Sequence, residues 1–131
     1  MNQRTSVLVV LLIIVVVGGA LFVAFSGGKQ SANGCRAGET SAVHKATIRD
    51  GKVSNDHIYG KVCDTITITN KDAMSREIAF GNHDHHVPYD GVTERVLGEN
   101  ESFTITLDKA GSYHWHDHLH DEVEGFFTVT Q

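Results

Sequence analysis

The run Cys63-Asp64-Thr65-Ile66-Thr67-Ile68-Thr69-Asn70-Lys71-Asp72 sets an isoleucine between threonines at every second step. Side chains on a strand point alternately to its two faces, so a period of two puts Ile66 and Ile68 on one buried face. The Asn-Lys-Asp ending reads as the turn that closes the strand.

Outward from this run the grammar stays the same. Strand-like segments are Val43–Ile48, His57–Tyr59, Thr65–Asn70, Glu77–Phe80, Ser102–Leu107, Ser112–His116 and Gly125–Thr130. Phe103, Ile105 and Leu107 repeat the alternation of Ile66 and Ile68. Gly, Asn and Asp punctuate the breaks at Asp50-Gly51, Gly81-Asn82, Asp90-Gly91, Gly98-Glu99-Asn100 and Ala110-Gly111. No amphipathic helix of useful length interrupts them. Short strands at this spacing predict an all-β sandwich or barrel over residues 40–131.

Two segments precede that domain. Val7 to Phe25 is an apolar run of nineteen residues without a charge. As a helix it would be roughly 28 Å long, close to the hydrocarbon thickness of a bilayer. Residues 1–26 are therefore read as an N-terminal transmembrane helix. Ala24-Phe25-Ser26 leaves a cleaved signal segment as the alternative. Residues 27–39, rich in Ser, Gly, Asn and Gln, read as a linker. The expected arrangement is a membrane anchor with the domain on the extracytoplasmic side, in the periplasm or at the cell surface.

Charge narrows the partners. Eleven Lys and Arg stand against sixteen Asp and Glu, with no basic run, which argues against nucleic acid. The two cysteines, Cys35 and Cys63, are read as a disulfide, since no CxxC spacing exists and neither lies near the histidines in sequence. Two free thiols or a metal-binding pair are the other readings.

The chemistry lies in the histidines. Seven of the nine fall in two blocks, His83-Asp84-His85-His86 and His114-Trp115-His116-Asp117-His118-Leu119-His120. Neutral imidazole is the commonest transition-metal ligand near neutral pH. On strands, His83 and His85 would share one face, as would His116 and His118, with Tyr113 and Trp115 turned to the core. Brought together, the two pairs would offer four nitrogens to one ion, or two and two to a pair. His86 and His120 are further candidate ligands. Asp84 and Asp117 are candidate acceptors for the ring N–H groups. The alternatives are an incidental solvated cluster or a pH-sensing face.

Three segments resemble the cupredoxins. Cys63 to Asp72 resembles their Gly-Asp-x-Val-x-Trp-x-Asn-x-Asp motif. Ala110-Gly111-Ser112-Tyr113-His114-Trp115-His116 resembles Pro-Gly-Thr-Tyr-x-Tyr-His, and Glu124-Gly125-Phe126-Phe127-Thr128-Val129 their closing strand. The resemblance implies a cupredoxin-like Greek-key sandwich and a copper ion. It departs at the blue-copper ligands. Arg76 stands at the first His position, Asp117 at the Cys position and Val123 at the Met position, while His120 fits the second His. Asp117 with His120 as direct ligands is a variant of this reading.

A second resemblance is to the first domain of multicopper oxidases, in which His-x-His precedes Asp-Gly-Val and then a Gly-Thr-Tyr-Trp-Tyr-His-Ser-His motif. Here His83-Asp84-His85, Asp90-Gly91-Val92 and Gly111 to His118 follow the same order. That resemblance implies His83, His85, His116 and His118 as ligands of half a copper cluster, with a homo-oligomer as one way to complete it. The leading expectation is a membrane-tethered copper-binding protein with a histidine-rich site lacking a Cys ligand, for copper binding, handling or electron transfer. Zinc is the rival metal. A copper oxidoreductase with an oligomeric site, and a structural β-domain, are the competing functions.

Overall fold

The computed structural model describes Cys35 and residues 41–131. Ten strands follow in chain order: β1 (Val43–Arg49), β2 (Lys52–Ser54), β3 (His57–Lys61), β4 (Thr65–Asn70), β5 (Arg76–Asn82), β6 (His85–His86), β7 (Glu94–Leu97), β8 (Ser102–Thr106), β9 (Gly111–Asp117) and β10 (His120–Thr130). They form two sheets. The smaller runs β2-β1-β4-β8 and the larger β3-β10-β9-β5-β6, with β7 also paired to β5.

β4 behaves as its alternation requires. It lies parallel to β1 and antiparallel to β8, with Ile66 opposite Ile105 and Ile68 opposite Phe103. Ile66 and Ile68 are buried against Ile58, Ile78, Phe80, Trp115, Val123 and Phe127 of the larger sheet. The core thus lies between the inner faces of the two sheets, as expected of a sandwich. Gly125 sits opposite Trp115, and a Cβ there would come within 2.5 Å of the indole, so the core closes only over a glycine.

Three strands were not anticipated, β2, β6 and β7, all short and mostly exposed. β7 and β6 share one edge of β5: Arg76 to Ala79 pair with β7, and Gly81 and Asn82 with β6. β10 begins at His120 rather than Gly125. The hairpin from β9 pairs His120 with Asp117, then resumes at Glu124 opposite His116 after a bulge.

Cys35 and Cys63 form a disulfide, which ties Cys35 to the turn before β4. The apolar run Val7–Phe25 and nearly all of the linker lie outside the described residues. Among the described residues no helix is long and apolar enough to cross a membrane.

A buried cation fastens β5 to the β9–β10 hairpin. Arg76, 3% exposed, donates from Nη1 to Asp117 Oδ2 at 2.9 Å and from Nη2 to Asp72 Oδ2 at 2.6 Å. Asp117 Oδ1 also accepts the amides of Glu77 and Leu119. Breaking such a pair from one side leaves a charge stranded. Arg76→Met is expected to cost about 3–5 kcal/mol in urea unfolding, whereas Arg76→Met with Asp117→Leu should recover most of it. Equal losses in the single and double variants would contradict this.

Two aspartates give the fold an acid limit. Burial alone would raise the pKa of Asp72, but the Arg76 bond, the Gly51 and Asp50 amides and the Arg76 charge hold it below the usual carboxylate range. Asp64 is likewise pushed up by burial and brought lower overall by His44 and the Lys61 and Ala42 amides. The unfolded chain then takes up these protons first as pH falls, so the stability they contribute is present above the ordinary carboxylate pKa, about 4, and is lost below it. Melting curves from pH 6 to pH 2 should show Tm falling below about pH 4, less steeply in Asp72→Asn.

Candidate metal centre

β9 runs between β10 and β5, and its alternation serves both faces of the sheet. Trp115 enters the core, while His114 and His116 turn to the outer face. His116 is nevertheless 1% exposed. Its neighbour across β5 is Ala79, also fully buried though it lies between core residues Ile78 and Phe80 on the face away from them. That small side chain leaves space for imidazoles above the sheet.

The covering histidines come from two tight turns. β5 ends at Asn82, and His83-Asp84 form a two-residue turn into β6, with Asn82 opposite His85 and Gly81 opposite His86. Gly81 has φ of +91°, and a Cβ there would meet the His85 carbonyl at 2.7 Å, so the reversal requires glycine. At the other end, His118-Leu119 form the turn between β9 and β10.

Nitrogen atoms of His83, His116 and His118 lie within 4.8 Å of one another. A second group within the same limit joins His86, Glu94 and His118. The rings of His83 and His118 stack at 4.8 Å, and His86 lies 5.3 Å from His116. His118 Nδ1 and His86 Nε2 are 3.2 Å apart.

Acidic residues orient these rings. His83 Nδ1 is 2.8 Å from Asp121 Oδ1, and His86 Nδ1 is 2.6 Å from Glu94 Oε1. A carboxylate holding Nδ1–H leaves Nε2 as the acceptor nitrogen, the usual orienting device for a metal-bound imidazole, and on His86 that atom meets His118 Nδ1. His114 Nε2 pairs with Glu124 Oε2 at 2.9 Å, and its ring stacks on His116 at 5.5 Å.

His116 has no such partner. Both ring nitrogens are buried without a well-formed hydrogen bond, the Gly81 backbone being the polar group that comes nearest to serving one. Burial first, then the neighbouring His114 and His86, lower its pKa by more than Asp121 and the Gly81 backbone raise it, which favours the neutral ring with its lone pair.

Of the residues singled out in the sequence, His83, His116, His118 and His86 are brought together. His85 is not in either group. It is exposed, and it lines a cavity with Phe80, Val87, Pro88, Tyr89 and Tyr113. Strand parity does not carry from His83 to His85, because the chain reverses between them. Asp84 is exposed on the same turn. Asp117 serves Arg76 and two amides, with His120 Nδ1 3.3 Å from its Oδ2, so both lie apart from the imidazole groups. Glu94, Asp121 and Glu124 were missed. Asp121 directly follows the second histidine block and Glu124 lies four residues past its end, whereas Glu94 lies on β7, which no alternation marks.

The donors suit a transition ion. Imidazole nitrogens about 2 Å from an ion in a tetrahedral site stand about 3.3 Å apart, so the His83, His116 and His118 nitrogens need only small shifts to close on one. Neutral nitrogen donors of this kind suit Cu(II) and Zn(II).

No family model matches the sequence, and no curated protein is similar to it in sequence. Solved structures do match its fold. A purple cupredoxin from Nitrosopumilus maritimus aligns over 66% of this chain and 99% of its own at 19% identity, with a TM-score of 0.59. A reduced proline-to-phenylalanine mutant of amicyanin aligns over 72% of this chain and 86% of its own at 22% identity, with a TM-score of 0.56. The Cu(I) form of a methionine-to-alanine mutant of amicyanin covers 69% and 84% at 20% identity, with a TM-score of 0.57. The described residues form a cupredoxin-like β-sandwich, the architecture that the strand and turn motifs of the sequence imply.

Proposed function

We propose that this chain is a membrane-tethered, extracytoplasmic copper-binding protein whose site is the imidazole cluster on the outer face of its larger sheet. The observation that carries the reading is His116: a neutral ring with both nitrogens buried and unpaired, facing His83, His86 and His118. An unsatisfied buried polar group costs about 1–3 kcal/mol, a cost that coordination would remove.

His83, His116 and His118 would hold the ion, with His86 as a further donor. Asp121 and Glu94 would fix ring orientation and tautomer. The bound ion would supply a one-electron couple, Cu(II)/Cu(I). The site would not be a blue one. Both cysteines of the chain are consumed in the disulfide, so no thiolate is left to bind. Where the blue-copper ligands would fall, Arg76 and Asp117 form their ion pair and Val123 is part of the apolar core. The guanidinium fills that place and, with the Glu77 and Leu119 amides, engages the Asp117 carboxylate, so no donor there is left for an ion.

Metal analysis and Cu(II) titration of the full chain test this reading. His116→Ala should lose copper binding by tenfold or more, on the order of one strong ligand. His85→Ala should bind as the parent does. If a variant with His83, His86, His116 and His118 all changed to Ala still retains its copper, the site is elsewhere. Zinc retained in preference to copper would replace the metal in the reading.

The carboxylates make a separate prediction. Asp121→Asn and Glu94→Gln should each weaken copper binding about 10–100-fold while leaving the melting temperature of the metal-free protein nearly unchanged. Unaltered affinity in both would mean that the rings are oriented by packing alone.

A further inference from the structure

Outer faces of sheets are ordinarily polar, yet one row on the larger sheet is built of rings. Phe126 on β10 stands in register with His57 of β3 on one side and His114 of β9 on the other. Its ring stacks on His114 at 4.7 Å with an 18° tilt, and His114 stacks on His116 at 5.5 Å. In the other direction Phe126 lies 6.1 Å from His57, which stacks on Tyr59 at 4.6 Å and 12°. An unbroken file of five rings thus runs from the buried, unpartnered His116 to Tyr59, which is 70% exposed.

The two ends differ in chemistry. Of the three tyrosines in the chain, Tyr89 is buried in the core and Tyr113 donates its hydroxyl to the Lys109 carbonyl. Tyr59 is the most exposed of the three and presents its phenol to solvent. Of the five rings, the phenol is the easiest to oxidise; the imidazoles and Phe126 bridge the distance with centroid spacings of 4.6 to 6.1 Å.

We propose that this file is a route by which an oxidising equivalent generated at the copper cluster is carried to the surface and discharged at Tyr59, sparing the ligand histidines. The proposal rests on the copper reading above. The oxidant is a peroxide meeting cuprous protein. Hydrogen peroxide accepts two electrons, one from Cu(I) and one from the Tyr59 phenol. The phenol proton and one proton from solvent complete two waters, leaving Cu(II) and a neutral tyrosyl radical. Two such radicals from separate copies then couple through a carbon–carbon bond to give dityrosine.

The test uses the full-length protein loaded with Cu(I) and treated with one equivalent of hydrogen peroxide. A tyrosyl signal in electron paramagnetic resonance and dityrosine-linked dimers are expected. Both should vanish in Tyr59→Phe and fall several-fold in Phe126→Leu, which leaves Tyr59 exposed and removes only the middle ring. Copper content is measured in each variant. Proton NMR of the metal-free Phe126→Leu protein should show His57 and His114 losing their ring-current shifts, with the core signals of Trp115 and Phe127 unmoved. Unchanged dimer yield in Phe126→Leu, or oxidation found at Trp115 in place of Tyr59, overturns the route and leaves the copper site standing. Parent protein that retains no copper overturns both.

Discussion

A guanidinium held between two carboxylates fixes the end of the molecule that matters most. Arg76 is clamped by Asp72, in the turn after β4, and by Asp117, the last residue of β9. Asp117 in turn pins the amides of Glu77 on β5 and Leu119 in the β9–β10 turn. Three separate stretches of chain therefore meet at one charge. A buried ion pair is a poor source of net stability, because desolvation offsets most of its attraction. Its contribution here is geometric. It sets how β5 lies against β9 and where the β9–β10 turn leaves the sheet, and so where His116 and His118 stand.

The imidazole cluster follows from that placement. His116 and Ala79 face each other across β9 and β5 on the outer side of the sheet, where most residues are solvated. His116 lies against the rings of His83, His86 and His118, which β6 and two turns bring to it. Such a cover with polar rings beneath it is costly unless the rings find partners. His83 and His86 find Asp121 and Glu94. His116 finds none, and desolvation keeps it neutral. The arrangement is poorly satisfied as a hydrogen-bond network, and well suited as a set of ligands.

Much of the sandwich was legible because burial on one face writes itself as alternation. Ile66 and Ile68, or Ile105 and Leu107, could be assigned from period alone, and Trp115 was placed in the core by the same count. The count fails where the chain reverses. His83 and His85 have matching parity in sequence, but a two-residue turn separates them, so His86 rather than His85 joins the cluster. β6 and β7 escaped notice for a related reason: they are two and four residues long, and only Leu97 among them is buried. With β7 unseen, Glu94 had no position. The disulfide needed no periodicity, only the absence of any other use for two cysteines.

The larger sheet uses one rule for two purposes. A period of two sends Trp115, Phe127 and Val129 inward and leaves His114, His116 and Phe126 outward. The inward set is held by the core. Nothing comparable compels the outward set to be aromatic, since threonine or lysine would satisfy a solvated strand as well. Thr128 and Ser112, one row away, are what such a face ordinarily carries, and they stand opposite each other in a row that Tyr59 completes. The ring row is the departure from that pattern. It begins at His116, whose two nitrogens are both buried, and ends at Tyr59, the most exposed phenol. Packing accounts for each ring singly, through cross-strand contacts worth a few tenths of a kcal/mol to about 1 kcal/mol. It gives no reason for their order, which a path from a redox ion at the proposed site to the surface would supply.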